Sequence, residues 1–131
     1  MRILLVEDNQ LNALATSRIL ERCGHEVDQA YDGREAVECM RTGEYDLVLM
    51  DLMMPVMDGY EATRRIRKLE GQRSRVPIVA VTALMAGQAR DHCLQAGMDC
   101  FLTKPVTEAE FCRLIRGIQD SDLPHACPEQ D

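Results

Sequence analysis

The chain has 131 residues, 46% of them apolar and 28% charged, with a net charge of -7. That length suits one domain with an ordinary buried core, and the acidic balance argues against a nucleic-acid partner. No apolar run approaches a membrane span and the amino terminus has no signal peptide, so no membrane insertion and a cytoplasmic location are expected.

In chain order, short apolar runs alternate with helical stretches. Arg2 to Val6 reads as a strand, closed by the acidic pair Glu7-Asp8. Residues 9–23 fit a helix with Asn9 as N-cap and Gly24 as its stop. Glu26 to Gln29 is a more polar strand, suited to a sheet edge. Gly33 to Thr42 reads as helix, stopped by Gly43. Leu47 to Met50 reads as a fully buried strand, the kind found in parallel sheets with both faces covered. Asp51 closes it. Pro55 and Asp58-Gly59 mark a loop, and Asp58 to Glu70 reads as helix, capped by Asp58 and stopped by Gly71. Val76 to Val81 is a fourth strand, closed by Thr82. Ala86 to Ala96 is a weaker helix ending at Gly97. Cys100 to Thr103 is the fifth strand, closed by Lys104-Pro105. Thr107 and Glu110 form a capping box for a last helix ending near Gln119. Residues 120–131 are polar, hold two prolines and lack periodicity. They are expected to be a disordered acidic tail behind a single domain of residues 1–119.

Strands alternating with helices predict a parallel α/β sheet. Open sheets of this kind place ligands at the carboxyl ends of their strands. Three carboxylates (Glu7, Asp8, Asp51), the Thr82 hydroxyl and the Lys104 ammonium converge on that edge. Clustered carboxylates are hard ligands suited to Mg²⁺. A carboxylate can also attack a phosphoryl group and become an acyl phosphate. The charge developing on the phosphoryl oxygens then needs a metal, a cation and a hydroxyl.

Each feature has a blander reading. Glu7-Asp8 alone could serve the dipole of the first helix. Thr82 could be an ordinary β-branched strand residue, Lys104 a snorkelling lysine and Phe101 plain core. Asp58 reads as a helix cap, and Arg64, Arg65, Arg67 and Lys68 as a solvated helix face. His25, His92 and His125 are scattered, without a partner that would make any of them a phosphoryl donor or catalytic base. Met53, Met54 and Met57 read as gap-fillers. The six cysteines, at 23, 39, 93, 100, 112 and 127, form no Cys-x-x-Cys pair. They read as reduced, mostly structural thiols.

Taken together, Ile3-Leu-Leu-Val-Glu-Asp-Asn-Gln-Leu-Asn12, Met50-Asp-Leu-Met-Met-Pro-Val-Met-Asp-Gly59, Ala80-Val-Thr-Ala83, Ala96-Gly-Met98 and Phe101-Leu-Thr-Lys-Pro105 resemble the receiver domains of two-component response regulators. The wording is nearest to receivers attached to hybrid histidine kinases, and the match runs from residue 2 to about residue 118. The resemblance implies a flavodoxin-like three-layer sandwich, a five-stranded parallel sheet in the order 2-1-3-4-5 with five helices. It makes Asp51 the acceptor of a phosphoryl group from a histidine kinase or histidine phosphotransfer protein. Asp8 and Asp51 would ligate Mg²⁺ directly, Glu7 through a water, and Met53 through its backbone carbonyl. Thr82 and Lys104 would contact the phosphoryl group, and Thr82 and Phe101 would form the switch. Lys104-Pro105 would be a cis peptide. The partner would dock on Leu11, Asn12, Ala15 and Arg18 of the first helix and on Pro105, with Leu14 facing the sheet. Met53 and Leu84 would flank the phosphoryl group and tune its decay. A homodimer on phosphorylation stays open.

Two other readings compete. Haloacid-dehalogenase-type phosphatases also use a strand-end aspartate and Mg²⁺, but need a second aspartate two residues on, where this chain has Met53. A pseudo-receiver would bind partners without phosphorylation, against which stands the intact set of site residues. The expected chemistry is therefore confined to phosphorylation and autodephosphorylation of Asp51, with no turnover of an external substrate.

Overall fold

The computed structural model describes residues 1–52, 54, 57–82 and 88–120. Five parallel strands run β1 (Arg2–Val6), β2 (Glu26–Ala30), β3 (Leu47–Asp51), β4 (Ile78–Thr82) and β5 (Cys100–Thr103), in the spatial order β2-β1-β3-β4-β5. The helices are α1 (Gln10–Arg22), α2 (Gly33–Thr42), α3 (Gly59–Arg67), α4 (Gln88–Ala96) and α5 (Glu108–Asp120). The flavodoxin-like order 2-1-3-4-5 expected from the resemblance is the one observed.

Strand alternation explains why the central run is apolar throughout. Val48 and Met50 face a cluster that includes Leu4, Val6, Ile78 and Ala80 and is closed by Ala36, Val37 and Met40 of α2 and Ala62 and Ile66 of α3. Leu47 and Leu49 face the opposite cluster with Ile3, Leu5, Val79 and Val81, closed by Ala13 and Leu20 of α1 and Phe111, Leu114 and Ile115 of α5. With helices on both faces, every residue of β3 and β4 is buried. β2 lies at the edge, and only Ala30 of its residues is fully buried.

Four expectations need correction. Leu14 does not face the sheet: it is 45% exposed. The helix register that buries Leu20 also buries Ala13 and Ser17, at i, i+4 and i+7, and turns Leu14 outward beside Leu11, Ala15 and Arg18. Ser17 is satisfied in the interior by the Gln29 amide, which donates to its Oγ at 2.8 Å. Arg67 does not belong to a solvated face. Its guanidinium donates to the carbonyls of Gly97 (2.8 Å), Ser74 (2.9 Å) and Val76 (2.6 Å) and to Asp99 Oδ2 (2.9 Å). α3 accordingly ends at Arg67 rather than Glu70, and a 3-10 turn (Gly71–Arg75) leads to β4, which starts at Ile78 rather than Val76. The thiols of Cys23, Cys39 and Cys112 are free as expected, but Cys100, buried in β5, is disulfide-bonded.

Among the described residues no helix is long and apolar enough to cross a membrane. The expected tail beyond residue 120, Cys127 included, lies outside the described residues.

Candidate functional site

Parallel register aligns the strand ends. Val6 pairs with Met50, and Asp51 pairs with Val81, so Glu7, Asp51 and Thr82 follow one another across three neighbouring strands. On the next strand Thr82 pairs with Thr103, bringing Lys104 to the same edge. The Lys104 N–H donates to the Thr82 carbonyl at 2.7 Å and extends that ladder by one step. Lys104-Pro105 is a cis peptide, as expected.

The side chains meet above this edge. Glu7, Asp8 and Asp51 each bring a carboxylate oxygen within 4.8 Å of the others. Glu7 and Asp51 are both 7% exposed, whereas Asp8 is open to solvent. Lys104 Nζ donates to Glu7 Oε1 at 3.0 Å and lies 3.8 Å from Asp51 Oδ2. The other Glu7 oxygen, Oε2, accepts from the Asn9 N–H at 3.2 Å. Thr82, 1% exposed, closes the floor on β4. Three carboxylates face one ammonium. Such a group repels itself unless a cation joins it, and the all-oxygen donor set with two carboxylates already held in place suits a small hard dication such as Mg²⁺.

Turn chemistry shapes the rim. Asn9 caps α1 by accepting from the Asn12 N–H at 2.9 Å, so α1 starts directly at the site. Asp58 caps α3, accepting from the Glu61 N–H at 3.0 Å, and so is a cap rather than a ligand. Gly59 approaches the phosphoryl-acceptor candidate itself. A Cβ there would sit 2.5 Å from the Asp51 carbonyl oxygen. Besides the turn and cap that its sequence signals, the Asp58-Gly59 dipeptide marks this close approach. The capping box of the last helix forms between Thr107 and Glu110.

Phe101 is 3% exposed and packs in the cluster under α2 and α3, paired with Ala80 two residues before Thr82. Leu11 (78% exposed), Asn12, Ala15 and Arg18 lie on the open face of α1, and Pro105 is exposed beside the site. Leu14 joins this face. Met53 and Leu84 lie outside the described residues.

Residues 3–116 match the family model described as the response regulator receiver domain. Hybrid signal transduction histidine kinase B of Dictyostelium discoideum is 44% identical over 120 residues, covering 84% of this chain and 6% of that protein. Sensor protein GacS of Pseudomonas syringae pv. syringae is 40% identical over 131 residues, covering 98% of this chain and 14% of that protein. The chain therefore spans only a small part of the curated relatives it matches. Among solved structures, the receiver domain of sensor histidine kinase PA1611 from Pseudomonas aeruginosa PAO1 superposes with a TM-score of 0.83 at 44% identity, covering 91% of this chain and 98% of that one. That crystal structure has a magnesium ion coordinated in its active site cleft.

Proposed function

We propose that Asp51 is the phosphoacceptor of this chain, which belongs to the response regulator receiver domain family. The observation that carries the assignment is the position of Asp51: a carboxylate 7% exposed, clustered with Glu7 and Asp8, with the Lys104 ammonium 3.8 Å away.

An Asp51 oxygen attacks the phosphorus of a phosphohistidine. The P–N bond breaks as the new P–O bond forms, and the imidazole leaves with the bond pair. Negative charge grows on the three equatorial oxygens. Lys104 is placed to neutralise part of it, and its hydrogen bond to Glu7 keeps the ammonium at the site beforehand. The Thr82 hydroxyl, at the end of β4, is assigned a hydrogen bond to one phosphoryl oxygen. Asp8 and Asp51 would hold Mg²⁺ directly, Glu7 through a water, and the Met53 carbonyl would complete the protein's share. When bound, the ion neutralises charge on both the carboxylates and the phosphoryl oxygens. The fit rests on the excess of carboxylates over cations and is supported by the magnesium in the PA1611 receiver.

In this reading Thr82 and Phe101 form the switch: drawing the hydroxyl to the phosphoryl group frees space that the Phe101 ring can occupy. The partner is a histidine kinase or histidine phosphotransfer protein, seated on Leu11, Asn12, Ala15 and Arg18 of α1 and on Pro105. Residues 1–119 constitute the receiver, acting on the cytoplasmic side of its signalling system, and its chemistry ends with labelling and autodephosphorylation of Asp51. Met53 and Leu84, both apolar, are assigned the flanks of the phosphoryl group, where they exclude hydrolytic water and slow its decay.

Acetyl phosphate with Mg²⁺, followed by intact mass, tests this. The receiver reading requires a gain of one phosphoryl group per chain. Continuous release of phosphate at a rate typical of enzymes would favour the phosphatase reading. Neither label nor release would leave the pseudo-receiver.

A further inference from the structure

The amino-terminal and carboxyl-terminal helices bring two thiols into contact far from the acidic site. Cys23 is the C-cap of α1 and Cys112 lies in the second turn of α5, 89 residues apart in sequence. Their sulfurs are 2.7 Å apart, both thiols are free, and both are half-buried. The same two helices are joined one turn away by Arg22, whose Nη2 donates to Glu108 Oε1 at 2.7 Å. That ion pair spans the same two helices beside the thiols. An open cleft of about 330 Å³, lined by Met1, Gly24, His25, Arg116 and Gln119 besides the two cysteines, leads to the sulfurs and gives a small oxidant access.

We propose that Cys23 and Cys112 are a redox clip: a hydroperoxide converts them to a reversible disulfide that fastens the carboxyl end of α1 to α5. One thiolate attacks a peroxide oxygen, the O–O bond breaks, and a sulfenic acid forms with release of water or an alcohol. The second thiolate attacks that sulfur, the S–S bond forms and water leaves. The two thiols lose two electrons in total, and the peroxide gains them. A dithiol reductant reverses the change.

A metal centre explains the cluster less well. A Glu108 oxygen also lies within 4.8 Å of both sulfurs. Two thiolates on one tetrahedral zinc, with bonds of about 2.3 Å, stand about 3.8 Å apart, well beyond the 2.7 Å seen here. Glu108 is moreover engaged by Arg22. The hydrogen bond with Cys112, followed by partial burial, pushes the Cys23 thiol up to about 11. The Cys23 thiol is then mostly protonated near neutrality and reacts faster as pH rises.

The experiment treats the full chain with hydrogen peroxide at about pH 7 and about pH 9, then digests it without reductant for mass spectrometry. The expected product is a linked peptide pair containing Cys23 and Cys112, two hydrogens lighter than the sum, forming faster at the higher pH and released by dithiothreitol. Oxidation should raise Tm by about 5 °C or more, since the closed loop is long. Cys23→Ser and Cys112→Ser, checked for folding by circular dichroism, should each lose the linked peptide and the rise. Separate sulfinic acids with no linked peptide in the folded parent would overturn the clip, as would a linked peptide without a rise in Tm. Protection of both thiols from alkylation by one equivalent of Zn²⁺ alone would overturn it in favour of a metal site. None of these readouts involves phosphorylation, so the clip can fail while Asp51 labels normally, or the reverse.

Discussion

Lys104 Nζ donates to Glu7 Oε1 at 3.0 Å across 97 residues of sequence, fastening the end of β5 to the end of β1 above Asp51. This contact sets the resting electrostatics of the site. Lys104 is the cation that offsets the three carboxylates, and it is 28% exposed while Glu7 is 8% exposed at the side chain. Its ammonium is held on Glu7 and lies within reach of any group that arrives at Asp51.

Lys104→Met should therefore separate two effects. Labelling by acetyl phosphate should fall by about tenfold or more, since one charge-matched contact to a transferring phosphoryl group is lost. In metal-free buffer the variant should melt below the parent, because Glu7 loses its partner. Mg²⁺ should restore more stability to the variant than to the parent. Equal responses of both proteins to Mg²⁺ in the melt would contradict the assigned role.

Mg²⁺ should bind in the millimolar range, as suits an open site with two direct carboxylates and several retained waters. NMR titration of metal-free protein should move amides around Glu7, Asp8 and Asp51. Asp8→Ala should bind at least tenfold more weakly. An unchanged titration in that variant would place the ion elsewhere.

Leu11 and Leu14 are both large, apolar and exposed on α1, at 78% and 45%. They lie three residues apart, on one face. Leu11→Arg and Leu14→Arg should each slow phosphoryl transfer from a phosphorylated histidine phosphotransfer protein by about tenfold or more, as the loss of a central apolar anchor does. Acetyl phosphate labelling should stay as in the parent, since neither side chain enters the site. Equal loss of both activities would point to misfolding instead.

The other end of the sheet gives a pH prediction. The Tyr45 hydroxyl donates to Asp28 Oδ2 at 2.7 Å, and Arg2 reaches the same oxygen at 3.0 Å. The Tyr45 hydrogen bond first, and Arg2 after it, hold the Asp28 carboxyl below its ordinary value of 3.8. A depressed folded value means that this stability is present above the unfolded value near 3.8 and is lost as pH falls through the folded one. Tyr45→Phe should therefore move the acid unfolding midpoint upward while changing the site chemistry little. An unmoved midpoint would show that the contact contributes nothing.

Much of this was legible in the sequence, and particular residues show why. Leu47 to Met50 is apolar at every position because alternate residues feed opposite clusters, so a covered parallel strand leaves an unmistakable run. Asp51, Thr82 and Lys104 each close such a run, and register alone brings them together. α1 was harder to read. Its buried stripe is Ala13, Ser17 and Leu20, two small or polar residues and one leucine, while two leucines face outward. Hydrophobicity ranks those positions in the wrong order. The ties of Arg67 go to carbonyls and a carboxylate that only the folded chain places near it. Cys23 and Cys112 share no local spacing, so their contact could not be seen before the helices were packed.

The residue that receives the phosphoryl group separates the receiver from its alternatives. The most direct measurement labels the protein with acetyl phosphate and Mg²⁺, reduces the acyl phosphate with borohydride, and maps the converted residue by peptide mass spectrometry. The prediction is that the aspartate converted to homoserine is Asp51 alone. Asp51→Asn, folded and no less stable in metal-free buffer because one of three clustered charges is gone, should give no converted peptide. Conversion at Asp8 or Asp58 in the parent, or undiminished labelling of Asp51→Asn, would contradict the assignment.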